Sequence, residues 1–192
     1  MKKILFYTLL IAIILSCRNQ SHGTAEYGQH TVGKKTDTST KKNSSPHTFA
    51  MNMIGNAHIH IDYSSPSISG RIIFGDLLPF GEVWQSGTHK ATWFETNKNL
   101  IIDNKVLKAG KYGFFTIPSK EEWTVIFNTN WDQLGKDDYD QKDDVLRFKV
   151  KPEYAENLVE SLKYDVTRIS DSEGKVSLSW EKVSIGFKVK VE

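Results

Sequence analysis

The feature that most limits what this chain can fold into is a two-residue alternation of apolar and polar side chains, repeated through its last three-quarters. In "AHIHIDY", Ala57, Ile59, Ile61 and Tyr63 fall on one side of an extended segment, with His58, His60 and Asp62 on the other. The same period places Trp123, Val125 and Phe127 together, and Leu146, Phe148 and Val150 opposite Arg147, Lys149 and Lys151. "KVSLSWE" sets Val176, Leu178 and Trp180 on one face, and "VSIGFKVKV" does the same for Val183, Ile185, Phe187, Val189 and Val191. Shorter strands fit "RIIF", "ATWFET", "NLIID", "KYGFFTI" and "SLKYDVTRI", separated by turn-like "SSPS", "DNK", "PSKE" and "DSEG". One wet face and one dry face is the signature of antiparallel sheets packed together. About nine or ten such strands predict an all-β fold, an antiparallel β-sandwich or jelly-roll-like single domain over 48–192. At most one short helix is expected, near "PEYAENLVE", with Tyr154, Leu158 and Val159 turned inward.

The N-terminus obeys different rules. Lys2 and Lys3 precede a run from Ile4 to Leu15 that is too short for a bilayer core of roughly 20 residues but suits a secretory signal. Ile14-Leu15-Ser16-Cys17 follows at once and resembles a bacterial lipobox, with Leu15 bulkier than usual. Residues 1–16 are read as a lipoprotein signal peptide and Cys17 as the acylated residue, so one partner is the lipid bilayer. The alternatives are an uncleaved anchor helix or a plain signal with an incidental cysteine. Cys17 is the only cysteine, so the folded domain has no disulfide and its core must hold it together. Residues 17–47 form a Ser-, Thr-, Gly- and Lys-rich tether with little to bury. No acid follows directly in "RNQSHG", which favours an outer-membrane anchor with the domain facing the periplasm. From Thr48 onward there are 18 basic and 21 acidic residues, a formal −3, and no basic stripe. That balance argues against nucleic acid.

Most short patterns fail as chemistry. His58, His60 and Asp62 share a strand face and could ligate zinc or iron, but a solvent-facing strand has the same pattern. Ser86 and His89 in "WQSGTH" lack the nucleophile elbow, since Trp84 stands where its first glycine belongs. The acid-rich "KDDYDQKDD" lacks the glycine and distal glutamate of a calcium loop and reads as a solvated loop. No cofactor motif is present, "KAGKYG" falling short of a phosphate loop.

One passage does not fit a strand: "SISGRIIFGDLLPFGEVWQSGTHKAT", residues 67–92. It reads either as a bulged corner whose Phe80 and Trp84 plug the core, or as the rim of a binding pocket. Arg71, Trp84, Gln85, Gly87, His89 and Thr92 are the candidate rim residues, and a planar guanidinium at Arg71 suits an anionic group.

This passage also carries a resemblance. Tyr63, Ser64, Pro66, Gly70, Arg71, Ile73, Phe74 and Gly75 match a Y-S-x-P-x-V-x-G-R-x-I-F-G stretch, and Trp84, Gly87, Ala91 and Thr92 match part of V-W-R-T-G-A-N-E-A-T. With "VLKAGKYGFFTIPSKEEWTVIFN" and "YDQKDDVLRFKVKP" following in order, residues 57–181 resemble the bacterial domain of unknown function 2911 family, common in Bacteroidetes envelopes. Gln85, Ser86, Thr88, His89 and Lys90 depart from the second motif, which weakens His89 as a site residue and favours Arg71. The resemblance implies a secreted or lipidated β-domain and no activity. The functional expectation is a non-catalytic envelope lipoprotein that binds a small ligand, glycan or envelope protein. A structural or assembly protein and a hydrolase-like or metal-dependent enzyme stand as alternatives.

Overall fold

The alternation finds its partner surface in a sandwich of two antiparallel sheets, described by a computed structural model over residues 45–192. The expected signal segment, Cys17 and the tether as far as residue 44 lie outside the described residues. In chain order the strands are β1 (His47–Ile54), β2 (Ala57–Ser64), β3 (Trp93–Thr96), β4 (Leu100–Ile102), β5 (Lys105–Leu107), β6 (Gly110–Ile117), β7 (Trp123–Asn128), β8 (Asp144–Val150), β9 (Glu153–Arg168) and β10 (Glu173–Val191). One sheet has the order β1-β2-β3-β6-β7-β8, the other β5-β4-β10-β9.

The apolar faces meet in the middle. Ala57, Ile59, Ile61 and Tyr63 of β2 are buried, as are Leu146, Phe148 and Val150 of β8 and Val176, Leu178 and Trp180 of β10. Phe187 of β10 bridges the sheets, its ring centroid 5.2 Å from Phe148, 6.1 Å from Phe127 and 6.2 Å from Phe114. The Phe127 and Phe148 contacts are edge-to-face and the Phe114 contact is stacked, and aromatic pairs of either kind add about 0.5–1.5 kcal/mol each beyond the area they bury.

β7 is buried on both faces. Its second face belongs to a small outer cluster of Ala91, Phe115 and Ile126, against which Val83 and Tyr139 pack. The cover comes from the segment between β7 and β8. Gly113 makes this possible: a Cβ there would sit 2.9 Å from the Asn130 carbonyl oxygen, so the chain crosses directly over it. Asn128, fully buried, then pins the segment by donating to the Asp140 carbonyl (2.9 Å) and Asp144 Oδ1 (2.8 Å). The acid-rich stretch is therefore divided in its roles. Asp137, Asp138 and Asp143 are exposed, whereas Asp144 pairs with Arg147 at 2.6 Å and accepts a hydrogen bond from the Tyr139 hydroxyl. Burial and the Asp144 carboxylate push the Tyr139 phenol up to about 12, which keeps it a donor at neutral pH.

Three local expectations are corrected. "PEYAENLVE" is strand, not helix: it begins β9, and Tyr154 and Leu158 are 64% and 56% exposed rather than turned inward. The long β10 offers it an open edge, and the pairing jumps from Glu181↔Val159 to Val183↔Tyr154, so the intervening residues bulge outward. "KVSLSWE" and "VSIGFKVKV" are one nineteen-residue strand, bent at Glu181 (φ 59°), rather than two. "RIIF" is a pair of turns closed by Leu78 N–H to the Ile73 carbonyl (2.8 Å) and Gly75 N–H to the Leu78 carbonyl (2.8 Å). Ile73 is buried there while Ile72 is 63% exposed.

These placements separate core from surface in a measurable way. Phe187→Ala is expected to lower the unfolding free energy by about 3–5 kcal/mol, and Leu158→Ser to change it by less than about 0.5 kcal/mol. Urea denaturation of the two variants checks this; a large loss at Leu158 would restore an inward-facing helix.

Candidate functional site

After β2 the chain leaves its own sheet and crosses to the other. Leu162 N–H donates to the Pro66 carbonyl (2.9 Å) and Ile68 N–H to the Glu160 carbonyl (2.8 Å), so residues 66–68 run as a short rung along β9. The Ser65 hydroxyl adds a bond to the Leu162 carbonyl at 2.6 Å. A tight turn follows, with Ser69 and Gly70 both at positive φ (50° and 74°). Arg71 closes this turn from above: its Nε donates to the Ile68 carbonyl (2.9 Å) and its Nη2 to the Ser67 carbonyl (2.6 Å).

The second half of the passage is tied down more heavily. Trp84 exchanges two backbone hydrogen bonds with Thr116 of β6 (2.8 and 3.0 Å), and its indole N–H caps the Gly87 carbonyl at 2.9 Å. Ser86 is wholly buried in a left-handed conformation (φ 54°), uncommon for a residue with a side chain. Its carbonyl accepts from two hydroxyls, Tyr164 of β9 (2.7 Å) and Thr92 (3.0 Å), and its own hydroxyl lies 2.9 Å from Thr116 Oγ1. Gly87 leaves room for this arrangement, since a Cβ would lie 2.6 Å from Thr92 Oγ1. Burial holds the Tyr164 phenol well above its ordinary range, so it stays protonated and keeps donating. His89, three residues on, is also left-handed (φ 65°). Backbone strain held in place by surrounding bonds tends to gather where a surface has a task beyond folding.

The two halves enclose a cleft of about 620 Å³. Of the six residues expected on a pocket rim, Arg71, Trp84, Gln85, Gly87 and His89 line it together. Thr92 does not: it is fully buried beneath the loop, where its hydroxyl supports Ser86. The core-plug expectation divides in the same way. Trp84 is buried at 4% exposure, while Phe80 is 37% exposed.

Sequence reasoning missed Leu77, Leu78 and Trp180 in the cleft wall. Trp180 of β10 stacks on Trp84 with centroids 5.9 Å apart, and Phe74 and Trp123 pack edge-on against this pair. The cleft floor is thus the upper surface of the aromatic core. Nothing in the alternation distinguishes Trp180 from any other inward residue of β10.

The chemistry disfavoured by the sequence is not assembled among the described residues either. Ser86 is buried and bonded to Thr116, out of reach for a nucleophile. His60 is stacked between Phe49 (5.4 Å) and Trp93 (5.0 Å), and Asp62 is engaged by His47 at 2.7 Å. His58 and His60 have ring centroids 6.1 Å apart. Among the described residues no group of three or more His, Cys, Asp or Glu side chains could hold a metal ion.

An antiparallel β-sandwich with a cleft at one corner defines the class. The chain matches the family described as Protein of unknown function (DUF2911) over residues 45–189, and it belongs to that family. No curated protein and no solved structure matches it significantly. The matched region contains both halves of the corner and all of its supporting strands.

The support for Ser86 can be measured as a coupling. Tyr164→Phe and Thr92→Val are each expected to cost about 1 kcal/mol of unfolding free energy, because the carbonyl keeps its other donor. The double variant is expected to cost more than the two together, since a buried acceptor is then left unpaired. Strict additivity in denaturant titrations would contradict a shared acceptor.

Proposed function

We propose that this chain is a lipid-anchored envelope protein whose β-sandwich binds a small ligand, without catalysing its conversion, in the cleft between Arg71 and His89. The observation that carries the binding reading is the convergence of five motif-region residues on one cleft. Its volume falls within the roughly 300–1,000 Å³ of small-molecule sites. Apolar wall residues such as Leu77 and Leu78 beside the polar Arg71, Gln85 and His89 give the mixture of apolar surface and a few polar groups that such sites share. Binding is favoured over catalysis by what faces the cleft: one cation, amide and hydroxyl groups, and no hydrogen bond joining His89 to a hydroxyl among the described residues. A glycan or an envelope protein is the less favoured ligand, because the volume is that of a small-molecule site.

Attachment through acylated Cys17, with the domain facing the periplasm from the outer membrane, rests on the lipobox-like "LSC" after a short apolar run. The resemblance to Bacteroidetes envelope proteins supports the same location.

Two experiments test the two parts. Mass spectrometry of the protein isolated from membranes is expected to give an N-terminus at Cys17 carrying acyl chains; an unmodified thiol or cleavage elsewhere would contradict the anchor. For the cleft, a thermal-melt screen of a small-molecule library is run on the wild type and on Thr88→Trp, which places an indole in the cleft wall. Compounds that raise the wild-type Tm are expected to lose their effect on the variant. Equal shifts in both proteins, or none in either, would overturn the binding reading.

A further inference from the structure

The following rests on the binding reading and adds the chemistry of the ligand. We infer that the cleft takes a small carboxylate carried on an apolar body, with the carboxylate held by Arg71 and the body packed against Leu77 and Leu78.

Charge points to an anion. Among the described residues, Arg71 is the only one in the cleft wall with a permanent charge and no carboxylate lines the cleft, although the folded domain as a whole carries more acids than bases. The neighbouring cations are already paired, Lys90 with Asp132 at 3.1 Å and Lys136 with Glu82 at 3.2 Å. The Glu160 carboxylate on β9 accepts from the Ser69 N–H at 3.0 Å. Arg71 has no acidic partner among the described residues, so its charge is left for a ligand.

The shape of the guanidinium points to a carboxylate. Arg71 spends the edge formed by Nε–H and one Nη2–H on the Ile68 and Ser67 carbonyls. The opposite edge, one N–H from Nη1 and the second from Nη2, remains. Two parallel N–H groups on one edge match the two oxygens of a carboxylate. The carbonyl bonds also fix the plane of the group before anything binds, so little side-chain freedom is lost on association. A phosphate dianion calls for more than one cation, and Arg71 is the one permanent cation among the described wall residues.

The wall points to the apolar body. Leu77, which is exposed, and the half-buried Leu78 give the cleft wall an apolar surface that an aryl or short acyl group covers well, above the buried Trp84–Trp180 pair.

The test uses the full chain in a non-ionic detergent, with ¹⁵N-labelled tryptophan indoles followed by NMR. The probes are 4-phenylbutyrate, its neutral amide and 4-phenylbutyl phosphate, which share one body and differ in the head. The expected result is a saturable shift of the Trp84 and Trp180 indole signals by the carboxylate. It should bind at least about tenfold more tightly than the amide, with most of that preference lost in Arg71→Gln and part of it kept in Arg71→Lys. The comparison of acid with amide needs no variant, so the inference stands or falls on the wild type even if Arg71→Gln does not fold. Equal binding of acid and amide would overturn the carboxylate while leaving the cleft a binding site. Tighter binding of the phosphate would overturn it in favour of a phosphate monoester. No saturable shift by the acid would overturn it as well, and the library screen then decides separately whether the cleft binds anything else.

Discussion

The corner of this domain depends on one buried carbonyl. The oxygen of Ser86 is removed from water, in a backbone conformation that residues with side chains seldom adopt, and it survives there because two hydroxyls reach it. One comes from Thr92, six residues along the same loop; the other comes from Tyr164 on the opposite sheet. The bond from Tyr164 therefore does more than satisfy a polar atom. It ties the loop that closes the six-stranded sheet to the strand that flanks the four-stranded one, and the cleft lies above that tie.

The aromatic residues carry the same connection through packing. Phe74, Trp84, Trp123 and Trp180 form a continuous cluster with centroid separations from 4.9 to 6.5 Å. Two of these rings, Trp84 and Trp180, also face the cleft. A residue such as Trp84 thus belongs to the core and to the candidate site at once. This explains why its place in a family motif supports either a structural or a functional reading equally well. Arg71 is different. Its guanidinium closes a turn that the bond from Arg71 N–H to the Ile68 carbonyl already holds, and its other edge has no partner among the described residues.

Much of the sandwich could be read from the chain because a period of two states directly which side chains share a face. The inward sets on β2, β7, β8 and β10 follow from it residue by residue. What alternation does not state is which strands pair, or where one strand ends and the next begins. Glu181 reads as a break in the pattern, yet it is a bend within a single strand. The start of β9 has apolar residues at helix-like spacing, but they face solvent because the strand bulges away from its partner. "RIIF" has strand-forming residues and no strand, because the turns on either side leave it no edge to pair with. The cleft was legible to the extent that it is local: Arg71, Trp84, Gln85, Gly87 and His89 lie within one short passage. Trp180 arrives from nearly a hundred positions away, through strand pairing that no short pattern records. Thr92 was misplaced for a related reason. A hydroxyl next to a polar loop looks like a ligand contact until the buried acceptor it serves is known.

The central claim is that the cleft is preformed, held open in the resting protein by the bonds that converge on Ser86, and does not depend on a ligand for its shape. Backbone ¹⁵N relaxation of residues 84–92 in the unliganded protein tests this most directly. The account gives order parameters near the 0.85 typical of rigid backbone, comparable to those of β6 and β7. Values below about 0.6 across Gln85–His89 would mean that the corner is loose until something binds, and would contradict it.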